Sequence, residues 1–273
     1  MSQYISPLPS NAVVITDDTA HTVLVPPPGM SKGHIDRDYA ADPVGANFAT
    51  PPDDFLIDES LWDDLIEEGE RNKSNLMHLW LAAGAQPLNQ NGTNYCWCFA
   101  VISAMIALLI RSGRGYVPLS PAFAACQIKG FRNQGGWDME AVKFISKNGT
   151  CEQRLWPQAS RDRKYLTDEA RENAKNYIIE EWWDVPDGQR FEYKVSSLLR
   201  NLPMPSGYSW WGHETCGMAV VKLKNDGPPR SKYGFIDINS WGAYGPKNDG
   251  FFVLSASKGT PGNCSIPKIL TPT

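Results

Sequence analysis

Apolar and polar positions change rhythm twice along the chain. Up to about residue 57 no period is sustained. Val13 to Thr16 and Thr22 to Val25 are short β-type runs, "PPPG" at 26–29 follows them, and "ADPVGANFATPPDD" reads as an extended, Pro-containing linker. This predicts an arm over residues 1–57 rather than a core. From Glu59 the spacing becomes helical: "ESLWDDLIEEGERNKSNLMHLWLAAG" carries acidic residues early and basic ones later, as the helix dipole favours. Cys96 to Arg111 is apolar nearly all round, which predicts a helix buried at the centre of the domain. A further helix is expected at "LSPAFAAC", with Ser120 as cap and Pro121 in the first turn. "GGWDMEAVKFISKNG" reads as another, stopped by Gly149, and "TDEARENAKNYIIEEWW" and "FEYKVSSLLRNL" as two more. Beyond His213 the rhythm changes again. "MAVVKLK", "YGFIDIN" and "FFVLSAS" are strand-like runs separated by the turn-rich "NDGPPR" and "GPKNDG", which predicts an antiparallel meander. Helices first and strands later give an α+β domain over 58–273, with a helical lobe and a sheet lobe.

Charge and composition exclude more than they assign. A net charge of -4 over 273 residues, with Lys and Arg scattered, does not supply the basic cluster a nucleic-acid partner needs. The run from Cys96 to Ile110 is too short and too interrupted by Ser103 to span a bilayer, so no membrane partner is expected. The N-terminus shows no basic region followed by an apolar one, so no secretory signal is expected, and a cytoplasmic or virion-associated protein with reduced thiols is expected. Ten each of Trp, Tyr and Phe suit a deep core and a groove for extended ligands.

The chemistry gathers at Cys96. The first turn of a buried helix offers unpaired N–H groups and partial positive charge, which stabilise a thiolate. Cys98, two residues on, points to another face and reads as a packed small residue. A thiolate nucleophile needs a base, and of the four histidines (21, 34, 78 and 213) only His213 lies downstream of Cys96, just before a strand. Asn239, at the end of the next strand, can accept the imidazole N–H and set its tautomer, while Trp241 can shield that bond from water.

Gln90, Cys96, Trp97, Phe99 and Ala100, His213, and "NSWG" from Asn239 to Gly242 together resemble the papain-like cysteine peptidases. Asn239 lies 143 residues after Cys96 and His213 lies 117 after it. The resemblance runs from about Leu76 to Leu254. It implies a two-lobe papain-like fold, a Cys96–His213–Asn239 triad, and Gln90 with the Cys96 N–H as oxyanion donors. It also implies that Gly135 and Gly136 admit a peptide as an added strand, with Trp137 and Trp241 beside it. A peptide or protein substrate and no cofactor or metal are implied. Three features depart from the family. Thr93 and Asn133 stand where the family has a disulfide; Pro203 to His213 is only ten residues; and the arm lacks the usual inhibitory propeptide pattern. "GYSWWGHE" and "LSPAFAACQIKGFRNQGGW" are most similar to papain-like proteins of tailed bacteriophages.

Three other readings stand beside this one. Cys96, Cys98, His213 and Cys216 have ligand types for zinc, although Cys-x-Cys spacing is poor for one tetrahedral ion. A cell-wall hydrolase would use the same layout on a peptidoglycan stem peptide. A virion or scaffold component would keep the fold and use residues 1–57 to dock onto neighbours.

Overall fold

A computed structural model describes residues 13–223, 229–243 and 249–268. The turns expected at "NDGPPR" and "GPKNDG" lie largely outside them.

The chain builds one helical layer around a central helix and a mixed sheet against it. The stretch from Glu59 forms two helices, not one: α1 (Trp62–Arg71) and α2 (Leu76–Ala82). They part at Lys73, whose φ of 51° no helix continues, and the Asn75 side chain caps α2 by accepting from the His78 N–H. The buried helix is α3 (Cys96–Arg111), with fourteen of its sixteen residues buried, so it is a core element with no solvent face. Next come α4 (Pro121–Ile128) and α5 (Asp138–Asn148). Ser120 occupies the cap position of α4, but its hydroxyl makes no capping bond; its backbone joins the neighbouring segment through Ser120 N–Cys151 O. Gly149 ends α5 at φ 69°, and a Cβ there would stand 1.9 Å from the Ala174 carbonyl oxygen.

The segment from Thr167 gives only α6 (Asp168–Ala174), and the expected helical continuation through "EEWW" is instead strand β2 (Glu181–Asp184). The reason is a change of period: Trp182 and Asp184 alternate inward, and the strand pairs with β7 (Asn263–Lys268). The helix α7 (Arg190–Leu199) forms as expected. In the arm, Val14–Ile15 is a strand, β1, but the second run becomes a 3-10 turn, Ala20–Val23, that buries Val23.

Strands β3 (Met204–Tyr208), β4 (His213–Lys222), β5 (Tyr233–Ile238) and β6 (Phe251–Ser255) complete a seven-stranded sheet in the order β1-β6-β5-β4-β3-β7-β2. The meander β4-β5-β6 is antiparallel, as the pattern predicts. After β6 comes the short helix α8 (Ala256–Gly259). The main core surrounds α3, and a smaller one, with Ile15, Val23, Tyr208, Trp211, Trp241 and Phe252, lies beneath the arm.

Two ion pairs fix what surrounds the site. Lys194 on α7 meets Asp237 at 3.0 Å, and Tyr208 and Thr215 donate to the same carboxylate, each at 2.8 Å; all four residues are buried. Arg37 of the arm grips Asp184 through both terminal guanidinium nitrogens, at 2.6 and 2.9 Å. Bidentate geometry makes this second pair an orienting clamp.

Candidate active site

Antiparallel pairing of β4 with β5 brings the start of one strand to the end of the other, so His213 and Asn239 face each other. His213 Nε2 lies 2.8 Å from Asn239 Oδ1. The same oxygen accepts from the Ser240 N–H at 2.7 Å, so it acts as an acceptor, Nε2 carries the proton, and Nδ1 is the basic nitrogen. Nδ1 is buried and makes no hydrogen bond. Trp241 stacks on the imidazole, 4.7 Å between centroids, and Trp211 meets it edge-on at 4.8 Å, with the two indoles 5.7 Å apart, so they shelter one face and the adjoining side of the ring.

Cys96 opens α3, which packs against β4, and is fully buried. Backbone N–H groups of Glu214, Trp97 and Cys96 itself favour its thiolate, but burial outweighs them and holds the thiol well above its ordinary pKa, with Glu214 adding to the rise. Burial pushes His213 the other way, to about 3, and the positive charges of Lys32 and His34 add to that against the Asn239 bond. In this state the pair rests as neutral thiol and neutral imidazole.

Gln90 reaches the site from a loop laced to the asparagine loop through Gln90 N–Ser240 O and Gly242 N–Leu88 O, both 2.8 Å. The Ser240 hydroxyl donates to Gln90 Oε1 at 2.5 Å, which leaves Nε2 as the outward donor. That nitrogen donates to the carbonyls of Thr93 and Ser31, at 2.7 and 2.9 Å.

Ser31 belongs to the arm, and residues 31–35 cross the site. Gly33 and His34 donate to the Gly212 carbonyl, Gly136 N–H donates to Gly33 O at 2.9 Å, and Ile35 N–H donates to Gly136 O at 2.9 Å. His34 and Gly136 form a parallel bridge. A Cβ on Gly135 would stand 2.4 Å from Gly33 O, which explains why glycine is required there. The glycine pair thus receives an added strand, contributed by the chain's own arm.

Trp137 is half-buried against the main core, with Lys129 Nζ 6.0 Å from its ring. Cys98 turns away from Cys96 and donates to the Pro121 carbonyl at 3.3 Å. Among the described residues no three His, Cys, Asp or Glu side chains gather as a metal site, and all six cysteines are free. No described helix is long and apolar enough to cross a membrane. Where the resemblance places a disulfide, Asn133 accepts from the Asn94 N–H at 2.7 Å and donates to the Gly92 carbonyl at 3.0 Å, tying the same two loops.

The sequence reading missed Ser240, Glu214 and the cleft-filling part of the arm. Glu214 had a signal, a carboxyl group just ahead of the apolar run "MAVV" of the same strand; the arm had none beyond Gly33.

No protein-family model and no curated protein matches the sequence. Solved structures do. Xylellain, a cysteine protease from Xylella fastidiosa, superposes with a TM-score of 0.60 at 16% identity, covering 89% of this chain and 97% of that one. Digestive procathepsin L 3 of Tenebrio molitor larval midgut gives 0.57 at 16% identity over 70% and 68%, and the proform of the ragweed pollen allergen Amb a 11, a cysteine protease, gives 0.54 at 18% over 69% and 64%. The fold is that of the papain-like cysteine proteases. None of these three carries the likeness to bacteriophage proteins further.

Proposed function

We propose that the chain is a latent papain-like cysteine peptidase that cleaves peptide or isopeptide bonds through Cys96, His213 and Asn239. The observation that carries this reading is the His213–Asn239 bond, which leaves Nδ1 basic and unpartnered, on the residue preceding Glu214, whose N–H favours the Cys96 thiolate.

With substrate bound, His213 Nδ1 takes the Cys96 thiol proton and the sulfur attacks the amide carbonyl. The Gln90 side-chain N–H and the Cys96 N–H hold the oxyanion. Collapse breaks the C–N bond, His213 returns its proton to the leaving amine, and a thioester remains. Water, giving a proton to His213, then releases the acid and the thiolate, which recovers that proton.

Neither donor nor nucleophile is open to substrate while residues 31–35 cross the site, so turnover requires the arm to leave. Burial of Ile15, Val23 and Arg37 against their own domain supports this covering role over docking of the arm onto virion neighbours. Hydrolysis of quenched-fluorescent peptides by the full chain carrying Gly33→Ala tests the reading. Cleavage abolished by Cys96→Ala agrees with it, and cleavage indifferent to Cys96 overturns it.

A further inference from the structure

The niche that holds the arm's His34 has a definite chemistry. The side chain is 1% exposed, with Nδ1 3.2 Å from Glu214 Oε2 and Nε2 3.3 Å from Asp36 Oδ1 at the rim. Gly207 on β3 gives the niche its depth. A Cβ there would stand 2.3 Å from His34 Cε1 and 2.7 Å from Asn263 Oδ1, so Asn263 borders the same space as the imidazole.

This wall is rich in acceptors and poor in donors. Glu214 Oε1 and Asn263 Oδ1 are both buried without a hydrogen-bond partner, while the Asn263 amide nitrogen is committed to Asp138 Oδ1 at 2.8 Å. An imidazole offers at most two N–H groups, and His34 directs one ring nitrogen to Glu214 and the other to the rim. An ammonium offers three and a guanidinium five, enough to reach the oxygens that His34 leaves bare.

We propose that this niche is a specificity pocket that takes a cationic side chain of the substrate, arginine or lysine, and that Glu214 selects it. The proposal rests on the peptidase reading above. Glu214 directly follows His213 on β4 and its N–H favours the Cys96 thiolate, so whatever fills the niche is set beside the nucleophile. An apolar side chain would leave a buried carboxyl without a partner, which is costly; a cation replaces that cost with charge-assisted hydrogen bonds. With the arm docked, burial raises the Glu214 pKa well above the ordinary range, and Asp138 and Glu140 add to the rise.

The test uses the full chain carrying Gly33→Ala and His34→Ala to clear the cleft and Cys96→Ser to stop turnover. Calorimetry compares peptides that differ only by arginine, lysine or norleucine at each position in turn. The expected result is one position at which arginine or lysine binds about tenfold or more tighter than norleucine, with that ratio falling toward unity in Glu214→Gln and in Gly207→Ala. Equal binding at every position, no binding of any peptide, or a preference that survives Glu214→Gln overturns the proposal. The same peptides are then offered to the chain with Cys96 restored. A cation preference in binding without hydrolysis would leave the pocket standing and remove the peptidase reading; hydrolysis without the preference would do the reverse.

Discussion

The carbonyl oxygen of Ser31 lies 2.9 Å from Gln90 Nε2, and so takes the side-chain donor that the proposed chemistry requires for its oxyanion. The arm therefore competes for the proposed reaction's own hydrogen bond. Trp241 Nε1 donates to the same carbonyl at 2.9 Å, which ties the arm, Gln90 and the indole stacked on His213 into one unit.

Gly33 is where this unit can be pried apart. A Cβ on Gly33 would stand 2.2 Å from the Asn94 carbonyl oxygen, backbone that has no room to give. Gly33→Ala is expected to lift residues 31–35 and speed alkylation of Cys96 by about tenfold or more, as exposure of a buried thiol does. Time-resolved mass spectrometry of iodoacetamide-treated protein checks this, with circular dichroism to show that the domain stays folded.

Acid should weaken the arm-docked state through His213. Its folded pKa is depressed from 6.5 to about 3, so between those values the unfolded imidazole binds a proton and the folded one does not; stability falls as pH drops through that window. Glu214 has the opposite sign: its folded pKa is raised, so the stability it confers in acid is lost as pH climbs above its ordinary value. Subtracting a His213→Gln variant isolates the first effect. Relative to that variant, the wild type is expected to lose roughly 2–3 kcal/mol between about pH 7 and pH 4 in urea titrations.

Lys194 and Asp237 are both fully buried, and removing one leaves the other charge stranded. Lys194→Met is expected to cost about 3–5 kcal/mol, and adding Asp237→Leu to recover much of it. Denaturant midpoints of the two single variants and the double variant measure the coupling.

Asn133 performs with hydrogen bonds the loop-tying that the resemblance assigns to a disulfide. Asn133→Ala should lower stability by roughly 1–3 kcal/mol. A reductant should leave the melting temperature of the wild type unchanged, since all six cysteines are free.

Local pattern made α3, α5, α7 and the β4-β5-β6 meander readable, because each has a sustained period and a clear stop. Strand β3 hid behind Pro205 and Gly207, residues that argue against a strand in isolation but here sit in register with β4. Strand β2 has a helical look in sequence because "NYIIEEWW" has no breaker, and only its pairing with β7 decides. In the candidate site, Cys96, His213 and Asn239 are proposed from residue type and order along the chain, and the His213–Asn239 bond is consistent with that order. The path of residues 31–35 was not, because Gly33 crosses the cleft through backbone bonds and leaves no periodic trace. Glu214 gains its meaning only from burial opposite Gly207 and His34.

The central claim is that Cys96 is a nucleophile activated by His213 once the arm has moved. The most direct test is covalent labelling of the Gly33→Ala chain by an epoxide thiol inhibitor across about pH 4 to 9, with the adduct located by mass spectrometry and His213→Ala as control. Labelling confined to Cys96, persisting well below the ordinary thiol pKa and lost without His213, is the predicted result. Slow labelling spread over several cysteines, with ordinary alkaline dependence and no effect of His213, would contradict it.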